Sequence, residues 1–140
     1  MRRRAREAAL QVLFQMDVGK VSLEDALESV AAPNWLPGDW ALVETLSRGA
    51  RAHQAEIDLV IARFAERWTI ERMAAVDRNI LRMALFELRH TTTPVRVVIN
   101  EAVELAKRYS TEDSGRFVNG LLGNVVRSGD APLVGHAADA

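Results

Sequence analysis

Val95-Arg96-Val97-Val98-Ile99-Asn100-Glu101-Ala102-Val103-Glu104-Leu105-Ala106-Lys107-Arg108-Tyr109 is the stretch whose reading decides the fold class. Its β-branched opening, Val95, Val97, Val98 and Ile99, would suit a strand on its own. The second half does not: Ala102, Leu105, Ala106 and Tyr109 recur at steps of three and four, which puts them on one helical face. Pro94 has the fixed φ that favours the start of a new element. The spacing therefore predicts a helix over 95–109. With it the whole chain reads as all-α, because no strand pair with a hairpin turn occurs elsewhere.

Outward from this segment the punctuation stays helical. Thr91-Thr92-Thr93-Pro94 is a linker, and before it Val76, Ile80, Met83, Ala84 and Leu88 line one face. Thr69 is placed to cap a short turn over 70–73. Upstream lies one long span capped by Asp39, where Trp40, Val43, Leu46, Ala50, His53, Ile57, Val60, Phe64 and Trp68 recur every three or four residues. Gly49 is its expected interruption or bend. Pro33 and Pro37-Gly38 mark the preceding loop. Ser22 with Asp25 resembles a capping box opening a helix with Leu23, Leu27 and Val30. Gly19 stops a first helix in which Ala9, Val12, Leu13 and Met16 share a face, with Leu10 and Phe14 beside it. Downstream, Thr111 or Asp113 caps a final helix through about Arg127. Six or seven helices with short connections make one all-α domain over 1–127. Residues 128–140, rich in Gly, Ala and Asp, read as a flexible tail.

Composition narrows the functional classes. At 140 residues, 49% hydrophobic and 26% charged, the chain can bury one core and is too apolar for wholesale disorder. Cysteine is absent, which excludes a disulfide scaffold, a thiol nucleophile and a Cys-ligated zinc. The longest uncharged stretches, 29–38 and 117–126, have ten residues each, short of the roughly 18 apolar residues of a membrane span. No long apolar segment follows the N-terminal arginines, so a secretory signal is not expected and the expected location is cytoplasmic. The net charge of −1 hides an asymmetry: residues 1–6 carry +4, 7–93 carry −4, 94–127 carry +1 and 128–140 carry −2. A basic end on a near-neutral body points to a local anionic contact.

Catalytic and metal signatures are missing. His53, His90 and His136 are scattered, with no metal-ligand spacing, and no phosphate-binding loop, dinucleotide fingerprint or nucleophile elbow occurs. His53 falls on the apolar stripe and reads as a packed structural histidine. Glu101 and Glu104, one turn before Lys107 and Arg108, read as charge pairing along a solvated face. Asp77 suits a helix N-terminus through the dipole. Gly115, Gly120 and Gly123 within one helix suggest a close helix approach.

The arginine cluster has the clearest functional slant. Arg2, Arg3, Arg4 and Arg6 start a helix, where the dipole disfavours positive charge. Phosphates would offset that cost and give affinity without sequence reading; a solvated, frayed N-terminus is the other reading. Phe117 beside Arg116, near the start of the last helix, is either a core residue or half of a stacking pair for unpaired bases.

Three blocks resemble a known family. Arg2-Arg3-Arg4-Ala5-Arg6-Glu7-Ala8-Ala9-Leu10-Gln11-Val12-Leu13-Phe14 opens the chain. Trp68, Glu71-Arg72-Met73 and Val76-Asp77-Arg78, running into Ile80-Leu81-Arg82-Met83-Ala84-Leu85-Phe86-Glu87-Leu88, hold the middle. Pro94-Val95, Val98–Lys107, Glu112-Asp113-Ser114 and Phe117–Leu122 complete it. In order and spacing they resemble the NusB family of bacterial transcription antitermination factors, from residue 2 to about 127.

The resemblance implies about seven helices in two packed three-helix bundles, with no enzymatic activity; no cofactor or metal is expected. It implies binding of boxA-type single-stranded leader RNA, especially of ribosomal RNA operons, together with the ribosomal protein NusE. It further implies assembly with other Nus factors and RNA polymerase, suppressing premature termination. Position by position, Arg2, Arg3 and Arg4 match the RNA-contacting arm, to which Arg6 adjoins. Asp113, Arg116 and Phe117 match the RNA-facing start of the last helix, and Asp77 matches an acidic position facing NusE. Asn100, Glu101 and Asn119 are expected to fix helix packing. Two alternatives accompany this reading. One is a self-associating module whose homodimer buries the arm. The other is the helical module found fused ahead of ribosomal RNA methyltransferase domains; no Gly-rich nucleotide motif accompanies it here.

Overall fold

Hydrophobic periodicity accounts for seven helices among the described residues. The structure, a computed structural model, describes residues 2–66 and 69–129. In chain order the helices are α1 (Arg2–Val18), α2 (Leu23–Val30), α3 (Pro37–Ala52), α4 (Gln54–Phe64), α5 (Ala75–His90), α6 (Val95–Tyr109) and α7 (Glu112–Ser128), with a 3-10 turn at Ile70–Arg72. Among the described residues there is no strand. The β-branched start of α6 is absorbed by burial of Val98 and by packing of Val95 and Ile99 on the core.

Local chemistry sets the helix ends. Ser22 Oγ accepts the Asp25 amide at 3.1 Å and opens α2. Thr111, rather than Asp113, caps α7, its Oγ1 accepting the Ser114 amide at 3.0 Å. Gly129 closes α7 with φ +80°, a left-handed cap that glycine adopts without steric cost. Asp39 is not a cap: Pro37 occupies the start of α3 behind Leu36, and Asp39 sits in the first turn. The long span is two helices, and it breaks at His53, φ −105° and ψ 14°, not at Gly49. Trp68, placed by the sequence at the end of that span, lies outside the described residues, as do residues 130–140 of the expected tail.

Gly49 serves packing. A Cβ there would stand 2.0 Å from Phe86 Cζ, so the missing side chain is what lets α3 and α5 cross closely. Of the three α7 glycines, Gly115 fits the expected close approach, its missing Cβ 2.9 Å from Lys107 Cγ on α6. Gly120 faces open space and Gly123 faces Arg127 of its own helix.

Helices α1, α2 and α3 pack on one another, and α5, α6 and α7 form a second group, with α4 laid on α5 and α7. Helix α5 joins the groups by packing also on α1 and α3. It is therefore buried on nearly every side, from Asn79 through Leu88. A helix so enclosed can keep polar residues only if each finds a partner. Asn79 Nδ2 donates to Asp17 at 2.9 Å, Arg82 forks onto Asp58 of α4 at 2.9 and 2.9 Å, and Glu87 accepts Arg6 of α1.

Candidate nucleic-acid interface

The α1 arginines separate into anchored and presented side chains. Arg6 leaves the surface set: its guanidinium is buried and holds the buried Glu87 carboxylate through two parallel hydrogen bonds, one of 3.2 Å. This corrects its placement among RNA-contacting residues, because a buried, paired cation has no face for a phosphate. Arg3 is half-anchored. Its Nε and Nη2 donate to the two Glu101 oxygens of α6 at 3.0 and 3.0 Å. That hydrogen bond, then the Arg3 charge, outweighs burial and holds the Glu101 carboxyl below its ordinary range. The expected pairing of Glu101 along its own helix is thus replaced by pairing with α1. Arg108 likewise reaches Glu7 of α1 at 2.6 Å, beside the Tyr109 hydroxyl, which donates to the same oxygen at 2.8 Å.

Arg2 and Arg4 face outward. Arg2 is 61% exposed, 4.0 Å from an Asp39 oxygen. The Arg4 guanidinium lies 4.0 Å over the Trp35 ring, an attraction that holds the cation without neutralising it.

The start of α7 supplies the second element. Asp113 and Arg116 are exposed and form an ion pair one turn apart. Phe117 is half-buried against the core and borders a pocket of about 290 Å³ with Arg72, Met73, Asp77, Asp113 and Ser114. Asp77 lines the inner wall of this pocket. It is 7% exposed and accepts the Ser114 hydroxyl at 2.9 Å, while its Oδ1 is buried without a hydrogen bond. The fold thus brings Asp77, Asp113 and Phe117 together around one pocket and leaves the arginine arm on α1. Asn100 and Asn119 are exposed, and among the described residues neither hydrogen-bonds another helix.

A separate groove of about 580 Å³ opens beside Arg4, and sequence reasoning missed it. Arg4, Glu7, Phe14, Trp35, Val76 and Tyr109 line it. Its signal was present in Phe14, beside the apolar stripe rather than on it, and in Tyr109: both end up exposed, at 36% and 49%. Exposed aromatics in a concave, mixed surface are the usual material of a docking site.

The histidines also rearrange. His53 sits at the α3–α4 junction, half-exposed, stacked on His90 of α5 at 4.0 Å between ring centroids and on Phe86 at 5.8 Å. Glu56 accepts from His53 Nδ1 at 2.6 Å and lies 3.8 Å from His90 Nε2. Burial, then the adjacent His53, lowers the His90 pKa. Sequence spacing showed no ligand set around these residues; the fold closes a 37-residue separation.

An all-helical chain with a cation-tipped first helix next to an aromatic groove is the class of protein these features define. The chain belongs to the NusB family, whose family model matches residues 3–127. It is 48% identical to the transcription antitermination protein NusB of Symbiobacterium thermophilum over 136 residues, 90% of this chain and 89% of that protein. It is 48% identical to that of Anaeromyxobacter dehalogenans over 127 residues, 89% of each. Among solved structures, T. maritima NusB is 38% identical with a TM-score of 0.86, covering 91% of each chain. A chain from the crystal structure of antitermination factors NusB and NusE in complex with dsRNA is 30% identical, with a TM-score of 0.77 over 91% of this chain and 98% of that one. No helix among the described residues is long and apolar enough to cross a membrane.

Proposed function

We propose that this protein is a cytoplasmic transcription antitermination factor that acts by assembly rather than catalysis. Residues 1–127 bind boxA-type single-stranded leader RNA together with NusE, and the complex joins other Nus factors on RNA polymerase. The observation that carries the reading is the outward pair Arg2 and Arg4, held at the tip of α1 in a chain of the antitermination family. Arg2 and Arg4, with Arg3 at their side, contact phosphates. Phe117 and Arg116 stack on an unpaired base, and Asp113 borders them. NusE docks in the aromatic groove, and Asp77, in the separate pocket beside Phe117, steadies the start of α7 by accepting the Ser114 hydroxyl.

Fluorescence anisotropy of a boxA-type RNA against a scrambled RNA, with and without NusE and across salt concentrations, tests this. The expected result is tighter, sequence-dependent binding when NusE is present. For Arg2→Ala/Arg4→Ala, each lost contact lowers the slope of log K against log salt by about 0.7, and the pair by about 1.4. An unchanged slope removes the arm from the phosphate contact. No preference for boxA-type RNA in either condition moves the weight to a self-associating module.

A further inference from the structure

We propose that His53, Glu56 and His90 bind one divalent transition-metal ion of the zinc type. The site lies at the α3–α4 junction against the C-terminal end of α5. Three donors meet there, two imidazole nitrogens and one carboxylate oxygen, all within 4.8 Å of one another. Zinc holds nitrogen and oxygen ligands at about 2.0–2.2 Å, which sets tetrahedral donors about 3.3 Å apart. The distances here, 2.6 Å from His53 Nδ1 to Glu56 Oε1 and 3.8 Å from His90 Nε2 to the same oxygen, bracket that value. Two nitrogens with one oxygen select a zinc-, nickel- or copper-type ion over calcium or magnesium, which take all-oxygen shells.

Helix α3 ends at Ala52 and α5 ends at His90, so two negative dipole ends reach the cluster and outnumber the one positive end, that of α4, which starts at Gln54 and carries Glu56 in its first turn. Arg89 is the opposing charge nearby. Each donor is partly exposed, at 39%, 50% and 32% of its side chain for His53, Glu56 and His90, which leaves the outer side open to water as a further ligand.

Binding rearranges what is there in a defined way. The His53 ring proton moves from Nδ1 to Nε2 through solvent, freeing the Nδ1 lone pair, and the ion replaces the His53–Glu56 hydrogen bond. The rings, now stacked at 22°, turn about χ2 so that their lone pairs converge. The ion then ties the α3–α4 junction to the end of α5.

The test is isothermal titration of zinc chloride into untagged, chelator-washed full chain carrying His136→Gln, which removes the third imidazole. One ion per chain is expected, with affinity falling at least about tenfold in each of His53→Gln, Glu56→Gln and His90→Gln. Cobalt substitution is expected to give the visible absorption of a tetrahedral ion, lost in the same variants. Glu56→Gln alters an exposed α4 side chain and keeps the fold, so it decides the matter if a histidine variant unfolds. Absence of saturable binding, or binding that Glu56→Gln leaves unchanged, overturns the proposal.

Discussion

Replacing Arg6 by methionine separates the two roles open to an N-terminal arginine. The guanidinium is 6% exposed and the Glu87 carboxylate 2% exposed. Arg6→Met removes one partner and leaves a carboxylate inside the joint between α1 and α5 without its counter-charge. Breaking a buried pair this way costs about 3–5 kcal/mol, whereas replacing both partners by apolar residues of similar volume is often neutral or stabilising. For a chain of this size the single change lowers Tm by roughly 10–20 °C. The double variant Arg6→Met/Glu87→Leu should recover most of that loss. Urea unfolding followed by far-ultraviolet circular dichroism measures both, with the slope of the transition unchanged. The folded fraction of Arg6→Met should keep the wild-type salt dependence of RNA binding. A loss below about 1 kcal/mol together with a reduced salt slope would refute the argument, because it would put the guanidinium at the surface.

Two further outcomes follow from the packing and the ion pairs. Gly49→Ala drives a methyl group into a buried ring, with its Cβ 2.0 Å from Phe86 Cζ; the expected cost is about 1–3 kcal/mol by thermal melting, partly recovered by adding Phe86→Leu, and a neutral Gly49→Ala would contradict the crossing described for α3 and α5. Acid sensitivity should come in part from Asp17 and Glu101. Burial raises the Asp17 carboxyl, but the hydrogen bonds from Arg78 and Asn79 and the charges of Arg78 and Arg82 outweigh it and hold it below its ordinary 3.8. Glu101 is held below 4.5, chiefly by Arg3. Folded values below unfolded ones mean that the unfolded chain takes up protons first. This stability is present above about pH 4.5 and is lost as pH falls past 4.5 and 3.8 toward the lower folded values. Urea midpoints measured across that range should fall with pH, and Asp17→Asn/Glu101→Gln should flatten the fall; an equal slope in the double variant would count against it.

The helices were legible because burial imposes a 3.6-residue rhythm, and α6 shows why that rhythm outranks local composition. Its valines favour a strand, yet Ala102, Leu105 and Ala106 have to meet the core together, and only a helix does this. What the rhythm does not encode is contact between distant segments. Gly49 read as a bend because a glycine in a helix is locally a weakness; its reason is Phe86, far away in the chain. Arg6 was partly readable, since it stands four residues before Leu10 and seven before Leu13, on the inward face, but cationic neighbours drew it into a surface cluster. His53 and His90 could be joined only by the α3–α5 crossing. Asp77 carried a partner-facing expectation from the resemblance, while its burial depends on Ser114 of α7.

The two arginines that are clamped to other helices bear on the two that turn outward. A basic N-terminal segment without anchors is usually disordered and loses conformational freedom when it meets its anion. Here Arg3 is clamped to α6 and Arg6 to α5, so the first turn of α1 is already fixed in place. The ordering cost is met during folding rather than at encounter, and the guanidiniums on the same turn arrive preorganised. Association with a polyanion should therefore proceed as docking, without the large heat-capacity change of coupled folding.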